Sequence, residues 1–383
     1  MTTDRQTTDR QTTDGQTTNG EWKSGTARSG WMIYGASGYT GRLVAREAVA
    51  LGERPVLAGR SAEKVRRVAD ELGLPWVAFD LGDRAAAVGA LRGVELVLLA
   101  AGPFDGLAQP MMDACLEAGT HYTDLDNELP VFEAAEARDG RARERGVAIV
   151  PGIGFGTIAT GSLVKRVVAE VPDANRLECA VHIATTGAGA GTGESVLAGI
   201  KMGGRVRRGG RLVAHPLGAG GRVIPFADRG RRASPVPTGD LEAAWMDTHI
   251  PDIVVYGTAL PGGALQRAGI AILRRLLWVG AVRRAASGIR EGQESKDGRD
   301  GHKEEARCQA WASATNARGE TAEARLETGE GFAFTAAAAA RAVAVIRRAP
   351  VPGAHAAATV LGAAFVDSVP NVRISVSHRE ARS

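Results

Sequence analysis

From Trp31 to about Gly156, short apolar runs alternate with amphipathic segments of helical length. The apolar runs are WMIY, VLAG, WVAF, VELVLL and GVAIV, and Gly-rich or polar turns separate them from the segments between. Strands that alternate with helices are typical of a parallel sheet, because each parallel connection must cross back over the sheet. The pattern predicts an α/β fold over residues 30–155, a Rossmann-type doubly wound parallel sheet.

After residue 156 the alternation gives way to longer β-type segments rich in Arg and Gly, such as RLECAVHIATTG and GRLVAHPLG. This change predicts a second, α+β domain over residues 156–351 that serves the substrate or dimerisation. Within it we expect an exposed charged loop at 284–307 and an apolar, Arg-interrupted helix at 264–286. That helix suits a core, a dimer contact or a membrane surface. We expect the segment 352–383 to pack back on the first domain.

The remaining features restrict the class of protein. Residues 2–20 repeat the pentad TTDRQ with few changes and contain no apolar residue, so residues 1–29 are predicted to be a disordered tail. The three cysteines lack the paired spacing of a metal site or a disulfide framework. No apolar run has the length of a membrane span, and the net charge of +4 with 5% aromatic residues gives little basis for nucleic-acid binding. We therefore expect a cytoplasmic protein without a metal, a membrane span or a nucleic-acid partner.

A glycine motif lies between the first strand and the first helix. Its spacing is G-x-x-G-x-x-G, and its position between a strand and a helix is the context that indicates a dinucleotide site. The glycines would permit a tight turn, a close approach to a pyrophosphate and close helix packing, and the helix N-terminus would offer free amides to the anion. The predicted cofactor residues are Gly35, Ala36, Ser37, Gly38, Tyr39, Thr40 and Gly41.

The end of the second strand indicates which dinucleotide is bound. Here the sequence has Arg60 and Ser61, where an NAD enzyme normally has an acid for the ribose hydroxyl. Arg60 can present a planar fork to a 2′-phosphate, with Ser61 and Lys64 as further donors, so we predict NADP(H). Asp80 would meet the adenine edge or cap the next helix. After the fourth strand, the nicotinamide half would lie beside Ala101, Gly102 and Pro103.

These segments resemble the saccharopine dehydrogenase-like oxidoreductases, in the branch that contains trans-acting enoyl reductases. The resemblance extends over most of residues 31–375 and rests on IYGASGYTGRLVA, LAGRS, AAGPF, ACLEAGTHYTDLDNE, GVAIVPGIGF and the GTGES run at 191–195. Two positions depart from the family pattern. Asn127 stands where a Gly is usual, and GFGTIAT replaces the usual GFDSxPsD in a region that lines the substrate cleft in relatives.

The resemblance implies that the segment containing Tyr122, Asp124 and Glu128 is a loop that faces the nicotinamide. Tyr122 would donate to a developing oxyanion, and Asp124 would orient it or contact the ribose; alternatively, Tyr122 is a core aromatic and Asp124 a helix cap. Predicted substrate contacts are Glu128, Phe155, Thr157 and Thr192, the last of which also suits a helix N-cap.

The sequence thus predicts an NADPH-dependent oxidoreductase that transfers hydride to an activated double bond, such as an enoyl, an unsaturated acyl group or a natural-product intermediate. Two alternatives remain open: an imine reductase of the amino-acid type and a non-catalytic NADP-binding regulator. The substrate would be a small molecule or carrier-bound, and a homodimer also fits. The arginines that could attract an acidic carrier are Arg205, Arg207, Arg208 and Arg211, unless this stretch is only a solvated hairpin.

Overall fold

The computed structural model describes residues 22, 30–102, 104–184, 203–258 and 307–379. The strands in these ranges form two sheets. The predicted tail apart from Trp22, the predicted helix at 264–286 and the predicted loop at 284–307 apart from Arg307 lie outside the described residues.

The first sheet has seven strands in the order β15-β6-β5-β4-β1-β2-β3, and every neighbouring pair is parallel. The strand order changes direction between β1 and β4, which is where a doubly wound sheet opens a crevice at its carboxyl edge. The predicted Rossmann-type sheet is therefore confirmed. Its strands are β1 (Trp31–Tyr34), β2 (Val56–Gly59), β3 (Trp76–Ala78), β4 (Leu96–Leu99), β5 (His121–Asp124), β6 (Ala148–Val150) and β15 (Gly353–Ala354).

Helices cover both faces of this sheet. Along β1, Trp31 and Ile33 pack into one apolar cluster and Met32 and Tyr34 into another, as the two-residue repeat of a strand requires. None of the helices in the described ranges is long and apolar enough to cross a bilayer. The helices of this half are α1 (Tyr39–Ala50), α2 (Ala62–Leu72), α3 (Arg84–Leu91), α4 (Ala108–Ala118), α5 (Leu129–Glu136) and α6 (Asp139–Arg145).

Local caps fix where these helices begin and end. Ser61 caps α2 by accepting from the Lys64 amide at 3.4 Å, and Gly119, with φ +72°, ends α4 in the left-handed conformation that glycine adopts without strain. The Asp83 carboxylate accepts from the Ala86 amide at 3.0 Å and caps α3. The cap that the sequence left open for Asp80 therefore belongs to Asp83.

The second sheet is mixed and has nine strands. Its main path is β10-β11-β12-β7-β13-β14-β16, with β8 joined to β12 and β9 joined to β8. Strands β7 and β12 are parallel, and the other pairs are antiparallel. The strands are β7 (Arg176–His182), β8 (Gly204–Arg208), β9 (Arg211–His215), β10 (Arg222–Pro225), β11 (Gly230–Pro235), β12 (Asp252–Gly257), β13 (Cys308–Thr315), β14 (Thr321–Thr328) and β16 (Arg373–Arg379).

One apolar cluster joins the two sheets through helices that lie between them. Helix α7 packs against β13 and β14, and α9 packs against both α1 and α7. Ion pairs join α9 to the first half of the chain, since Arg341 donates to Glu47 of α1 at 2.8 Å and Arg347 donates to Glu95, just before β4, at 2.8 Å. These helices are α7 (Phe155–Glu170), α8 (Asp240–Thr248), α9 (Gly331–Arg348) and α10 (Ala357–Leu361).

Two terminal regions contact the sheets. The Trp22 amide donates to the Trp76 carbonyl at 2.8 Å beside the outer strand β3, and its half-buried ring packs against the core. The described part of the predicted segment, residues 352–379, packs on the first sheet only in part, because Gly353 and Ala354 extend that sheet beside β6 whereas β16 extends the second sheet beside β14.

Candidate nucleotide site and adjoining acidic loop

The glycine motif forms the turn from β1 into α1 and touches the turn after β4. Gly35 has φ +94°, and a Cβ there would lie 2.7 Å from the Ala101 nitrogen. A Cβ at Gly41 would overlap the Gly35 carbonyl oxygen. Both positions therefore require glycine, and both bring backbone close to backbone at the switch point of the sheet.

The first turn of α1 leaves its amides without a side-chain cap. Gly38 is the N-cap residue, is exposed and makes no capping hydrogen bond, whereas the Gly35 and Ala36 amides both donate to the Ala58 carbonyl. The first amides of a helix have no intrahelical acceptor and carry the positive end of the helix dipole. This cradle of glycine backbone and free amides fits a dinucleotide pyrophosphate.

The residues around the cradle are exposed or half-buried, and one of them contacts α9. Tyr39 is 66% exposed and packs edge-to-face on Phe332 of α9, with ring centroids 5.2 Å apart. Ser37 and Thr40 are half-buried, and the Ser37 carbonyl accepts from Arg42 Nε at 3.2 Å. The second half of the chain thus contributes one wall of the predicted cofactor site.

Arg60, Ser61 and Lys64 are all exposed where β2 ends and α2 begins. Burial raises the pKa of Tyr34, the Asp80 charge raises that pKa further and the Arg60 charge lowers it, so both charges act at the end of β1. The Arg60 guanidinium is therefore available beside the strand end at which the ribose is expected.

Two further predicted cofactor positions flank the crevice. Asp80 is exposed and accepts from the Gly82 amide at 2.8 Å, which closes a local turn. Ala101 and Gly102 follow β4, half-buried and exposed respectively, and Pro103 lies outside the described residues.

The segment predicted as a loop with Tyr122 and Asp124 is a strand at both residues. Gly119 ends α4, and the chain enters β5 at His121. The Tyr122 and Asp124 side chains share one face of β5, where the Tyr122 hydroxyl donates to Asp124 Oδ2 at 2.6 Å. Both residues are fully buried. This placement does not support direct contact between the Tyr122 hydroxyl and a substrate.

Asp124 and Asp126 form a closed network of buried carboxyl groups. Asp124 Oδ1 accepts from the Gly152 amide at 2.7 Å and the Asp126 amide at 2.9 Å, and Asp126 Oδ2 accepts from the Glu128 amide at 2.9 Å. Burial raises the pKa of Asp124 to about 6, against the Tyr122 and amide donors that lower it. Burial and then the charges of Asp124 and Glu128 raise the pKa of Asp126 well above its usual range. Asp126 Oδ1 has no hydrogen-bond partner among the described residues.

The predicted substrate residues lie near this network but are mostly buried. Glu128 is 8% exposed and forms a β-bridge with Thr238 of the second half. Phe155 and Thr157 begin α7, where Phe155 packs edge-to-face on Phe334 and the Thr157 hydroxyl donates to the Gly152 carbonyl. Thr192 lies outside the described residues.

The sequence interpretation missed Asp126, although the spacing in DLDNE was visible, and it missed Asp240. The Asp240 carboxylate is buried and accepts from Asn127, Thr160 and Thr238, so it ties the acidic loop (residues 124–128) to α7 and α8. Asp240 is 113 positions from Asn127, and no local pattern connects the two residues.

Curated relatives are similar to this chain over about a third of its length. The trans-acting enoyl reductase of Mycobacterium tuberculosis (strain H37Rv) is 31% identical over 135 residues, which cover 33% of this chain and 32% of the relative. The saccharopine dehydrogenase-like oxidoreductase of Mus musculus is 33% identical over 147 residues, or 33% of this chain and 34% of the relative. The matched part of this chain thus spans about a third of the length of these relatives.

A solved structure has a similar fold over nearly the whole chain. It is the apo saccharopine dehydrogenase (L-Glu forming) from Saccharomyces cerevisiae, with a TM-score of 0.62 and 13% sequence identity. The likeness covers 92% of this chain and 100% of that chain. At this identity the comparison establishes the fold alone.

The family comparison coincides with the first sheet. Residues 31–150, from the start of β1 to the end of β6, match the model of the saccharopine dehydrogenase NADP binding domain. The match contains the glycine cradle and Arg60, and it confirms the predicted cofactor and the resemblance. Residues 31–150 of this chain therefore form an NADP-binding domain similar to that of saccharopine dehydrogenase.

Proposed function

We propose that the protein is an NADPH-dependent reductase that transfers hydride to the activated double bond of an enoyl or other unsaturated acyl group. The observation that carries the proposal is the uncapped first turn of α1 above the Gly35–Gly41 turn, next to an exposed Arg60. A structural turn would have no need for three glycines in backbone contact or for open helix amides. The choice of an enoyl acceptor is supported by the similarity to the mycobacterial trans-acting enoyl reductase.

This proposal assigns separate tasks to the chain's own residues. The α1 amides would hold the pyrophosphate, Arg60 with Ser61 and Lys64 would hold the 2′-phosphate, and the small residues Ala101 and Gly102 would leave room beside β4 for the nicotinamide. When bound, NADPH supplies the hydride. Residues that follow the ends of β5 and β6 would then meet the acceptor, because these strands end at the same sheet edge as β1 and β4.

The acceptor gains negative charge during the reduction and must also gain a proton. The buried carboxyl groups of Asp124 and Asp126 have raised pKa values, so the acidic loop retains protons that an exposed aspartate would lose. We assign Tyr122 and Asp124 a positioning role, in which they hold the loop through the Gly152 and Asp126 amides. Glu128, at the less buried end of the loop, is the proposed contact to substrate.

The test is to offer the full chain NADPH or NADH together with a crotonyl thioester or a cyclic imine, and to follow NADPH absorbance and product. The proposal expects oxidation of NADPH by the unsaturated thioester, with deuterium from 4-deuterated NADPH recovered at the β-carbon. Oxidation by the imine alone would identify an imine reductase instead. Tight NADPH binding without turnover of either acceptor, or of a panel of other unsaturated acyl thioesters, would favour a regulator and overturn the proposal.

The carrier-bound form of the substrate has weaker support. Of the four arginines that the sequence offered to an acidic carrier, Arg207 is buried, donates to both carboxylate oxygens of Glu242 and lies over the Trp245 ring at 4.2 Å. Arg208 and Arg211 are exposed and pair across the β8–β9 hairpin. A carrier contact would therefore have to use the hairpin tip, and comparison of free and carrier-bound thioesters at two salt concentrations would test it.

A further inference from the structure

Asn127 and Asp240 form a reciprocal pair between the acidic loop and the start of α8. The Asn127 Nδ2 group donates to Asp240 Oδ2 at 2.9 Å, and the Asp240 amide donates back to Asn127 Oδ1 at 3.1 Å. The Gly239 amide adds a bond of 2.9 Å to the Asn127 carbonyl. Two hydrogen bonds thus join Asn127 to Asp240, and a third joins Asn127 to Gly239, across the two halves of the protein.

Other side chains complete the coordination of the Asp240 carboxylate. The Thr160 hydroxyl of α7 donates at 2.7 Å, and the Thr238 hydroxyl donates at 2.9 Å. Asp240 is 1% exposed, and each of its carboxylate oxygens accepts a hydrogen bond. A buried carboxylate with this many donors is held in one position, because the loss of any donor would leave an unmatched charge.

The surrounding backbone is shaped to admit the Asn127 side chain. A Cβ at Gly156 would lie 2.5 Å from Asn127 Nδ2, and a Cβ at Gly239 would overlap the Phe132 ring and lie 3.0 Å from Asn127 Oδ1. Gly156 and Asn127 are both in segments that depart from the family pattern, and here they fill one space together. The two departures are therefore structurally coupled.

We propose that the Asn127–Asp240 pair is a positioning latch that sets where the acidic loop meets the hydride acceptor. This inference rests on the proposed function. The loop carries Glu128, and its backbone is fixed on one side by Asp124 and on the other by this pair. Asn127 and Asp240 do not touch the reacting atoms, and they act by holding the loop against α7 and α8.

The test is a cycle of isosteric exchanges on the full chain. Asn127→Asp places two carboxylates together, Asp240→Asn removes the charge, and the double exchange restores an amide beside a carboxylate in the reverse order. Asn127→Gly removes the side chain without a new charge and serves if Asn127→Asp does not fold. Each variant is measured for NADPH affinity, for kcat and KM with the crotonyl thioester, and for hydrogen exchange of the Asp126, Glu128 and Gly239 amides.

Asn316→Asp is the matched control. Asn316 also donates from Nδ2 to an aspartate, Asp173, at 2.9 Å, and it is 4% exposed. It lies in the β13–β14 turn and contacts Asp173 after the C-terminal end of α7, whereas the Asn127–Asp240 pair contacts Thr160 in the N-terminal part of that helix. The control should destabilise the protein without changing kcat/KM or the exchange of the acidic loop.

A misplaced loop should lower kcat/KM about 10- to 100-fold in Asn127→Asp, with NADPH affinity within about twofold and faster exchange of the three amides. The double exchange should recover most of both losses. Unchanged loop exchange in Asn127→Asp and Asn127→Gly, unchanged kcat/KM in an active enzyme, or no recovery in the double exchange overturns the latch. If the unmodified chain reduces no acceptor, the proposed function fails, and the exchange measurements alone decide whether the pair holds the loop.

Discussion

The glycine turn after β1 and the acidic loop after β5 lie at the same edge of one sheet, but they satisfy their polar groups in opposite ways. The first amides of α1, which follow the glycine turn, have no side-chain cap, and the nearby Arg60 and Lys64 after β2 are exposed. The acidic loop buries Asp124 and Asp126 and directs backbone amides onto their carboxylates. Unused donors indicate a place for a ligand, whereas donors bonded within the protein indicate a part that is held rigid.

This difference assigns the two regions to two tasks of the proposed reaction, the binding of the cofactor and the placement of the hydride acceptor. The cofactor half is built from backbone and solvated charge, which a dinucleotide can enter without breaking existing bonds. The acceptor half is held by a hydrogen-bond network that Asp240, at the start of α8, completes. Changes to the glycine turn should therefore act mainly on NADPH affinity, and changes to the acidic loop mainly on stability and turnover.

The largest expected effect is at Gly35. Gly35→Ala places a Cβ 2.8 Å from the Ala100 carbonyl carbon at a φ of +94°, so the turn must shift away from its present position. We expect NADPH affinity to fall by about 100-fold or more, measured by fluorescence titration, because displaced amides lose the pyrophosphate. Gly89→Ala in α3, where a Cβ meets nothing within 4 Å, should leave affinity unchanged. Normal NADPH binding by Gly35→Ala would contradict the placement of the cofactor.

The next effect is at Arg60, where we expect Arg60→Ala to weaken NADPH binding by about 1.5 to 3 kcal/mol and to leave NADH binding unchanged. The physical reason is the loss of a charge-assisted pair with the 2′-phosphate. Arg67→Ala removes the same charge from an exposed site on α2 and controls for the general field. Equal losses for the two variants, or equal losses for the two cofactors, would be evidence against a specific 2′-phosphate contact.

Tyr122→Phe should affect the acidic loop alone. It removes a buried donor from Asp124, and we expect the free energy of unfolding to fall by about 1.5 to 3 kcal/mol with NADPH affinity unchanged. Tyr34→Phe is the matched control, since its buried hydroxyl donates at 3.1 Å to the neutral Phe79 carbonyl and should cost about 0.5 to 1.5 kcal/mol. A drop in kcat without loss of stability would return Tyr122 to the role of a direct proton donor.

The most gradual effect is the change of stability with each pH unit. The folded-state pKa values of Asp124, about 6, and of Asp126 lie above the unfolded value of about 3.9, so the folded state holds more protons between them. Stability should therefore fall as pH rises from about 4 through about 6, with a slope of at most about 1.4 kcal/mol per pH unit for each proton. Asp126→Asn should make the free energy of unfolding fall less steeply with pH. The measurement is a series of urea unfolding curves at different pH values.

Asp247→Asn provides the comparison for that experiment, because Asp247 is also buried but is paired with Lys165 at 2.7 Å. Its loss should lower stability at neutral pH. A pH dependence in Asp126→Asn that is as steep as that of the unmodified chain would show that the acidic loop releases its protons like exposed aspartates.

The sequence predicted the first sheet and its glycine turn because their signals are local. Strand, turn and helix follow one another between Trp31 and Ala50. The preference for NADP(H) is inferred from a single position, because Arg60 stands where an NAD enzyme has an acidic residue.

The acidic loop could not be predicted in the same way, because its structure depends on contacts between distant parts of the chain. From the sequence alone, the phenol of Tyr122 fits a catalytic role as well as it fits a buried structural role. Only the packing of β5 against α4 shows that the phenol is buried. Asn127 meets Asp240 because α8 packs on α5 and α7, which no pattern near residue 127 encodes. Burial, rather than residue type, separates these roles.

Helix α9 and strand β15 complete the first sheet and its helix layer but lie outside the segment that matches the family model. The NADP-binding domain ends at residue 150, yet its inner helix layer is completed by α9 and its outer edge by Gly353 and Ala354. During synthesis, the first 150 residues would leave the ribosome about 200 residues before these partners do. The part of the sheet face that α9 covers would stay exposed for that interval, a period of about 10 to 40 s at 5 to 20 residues per second. The matched segment, residues 31–150, is therefore shorter than the unit that must fold.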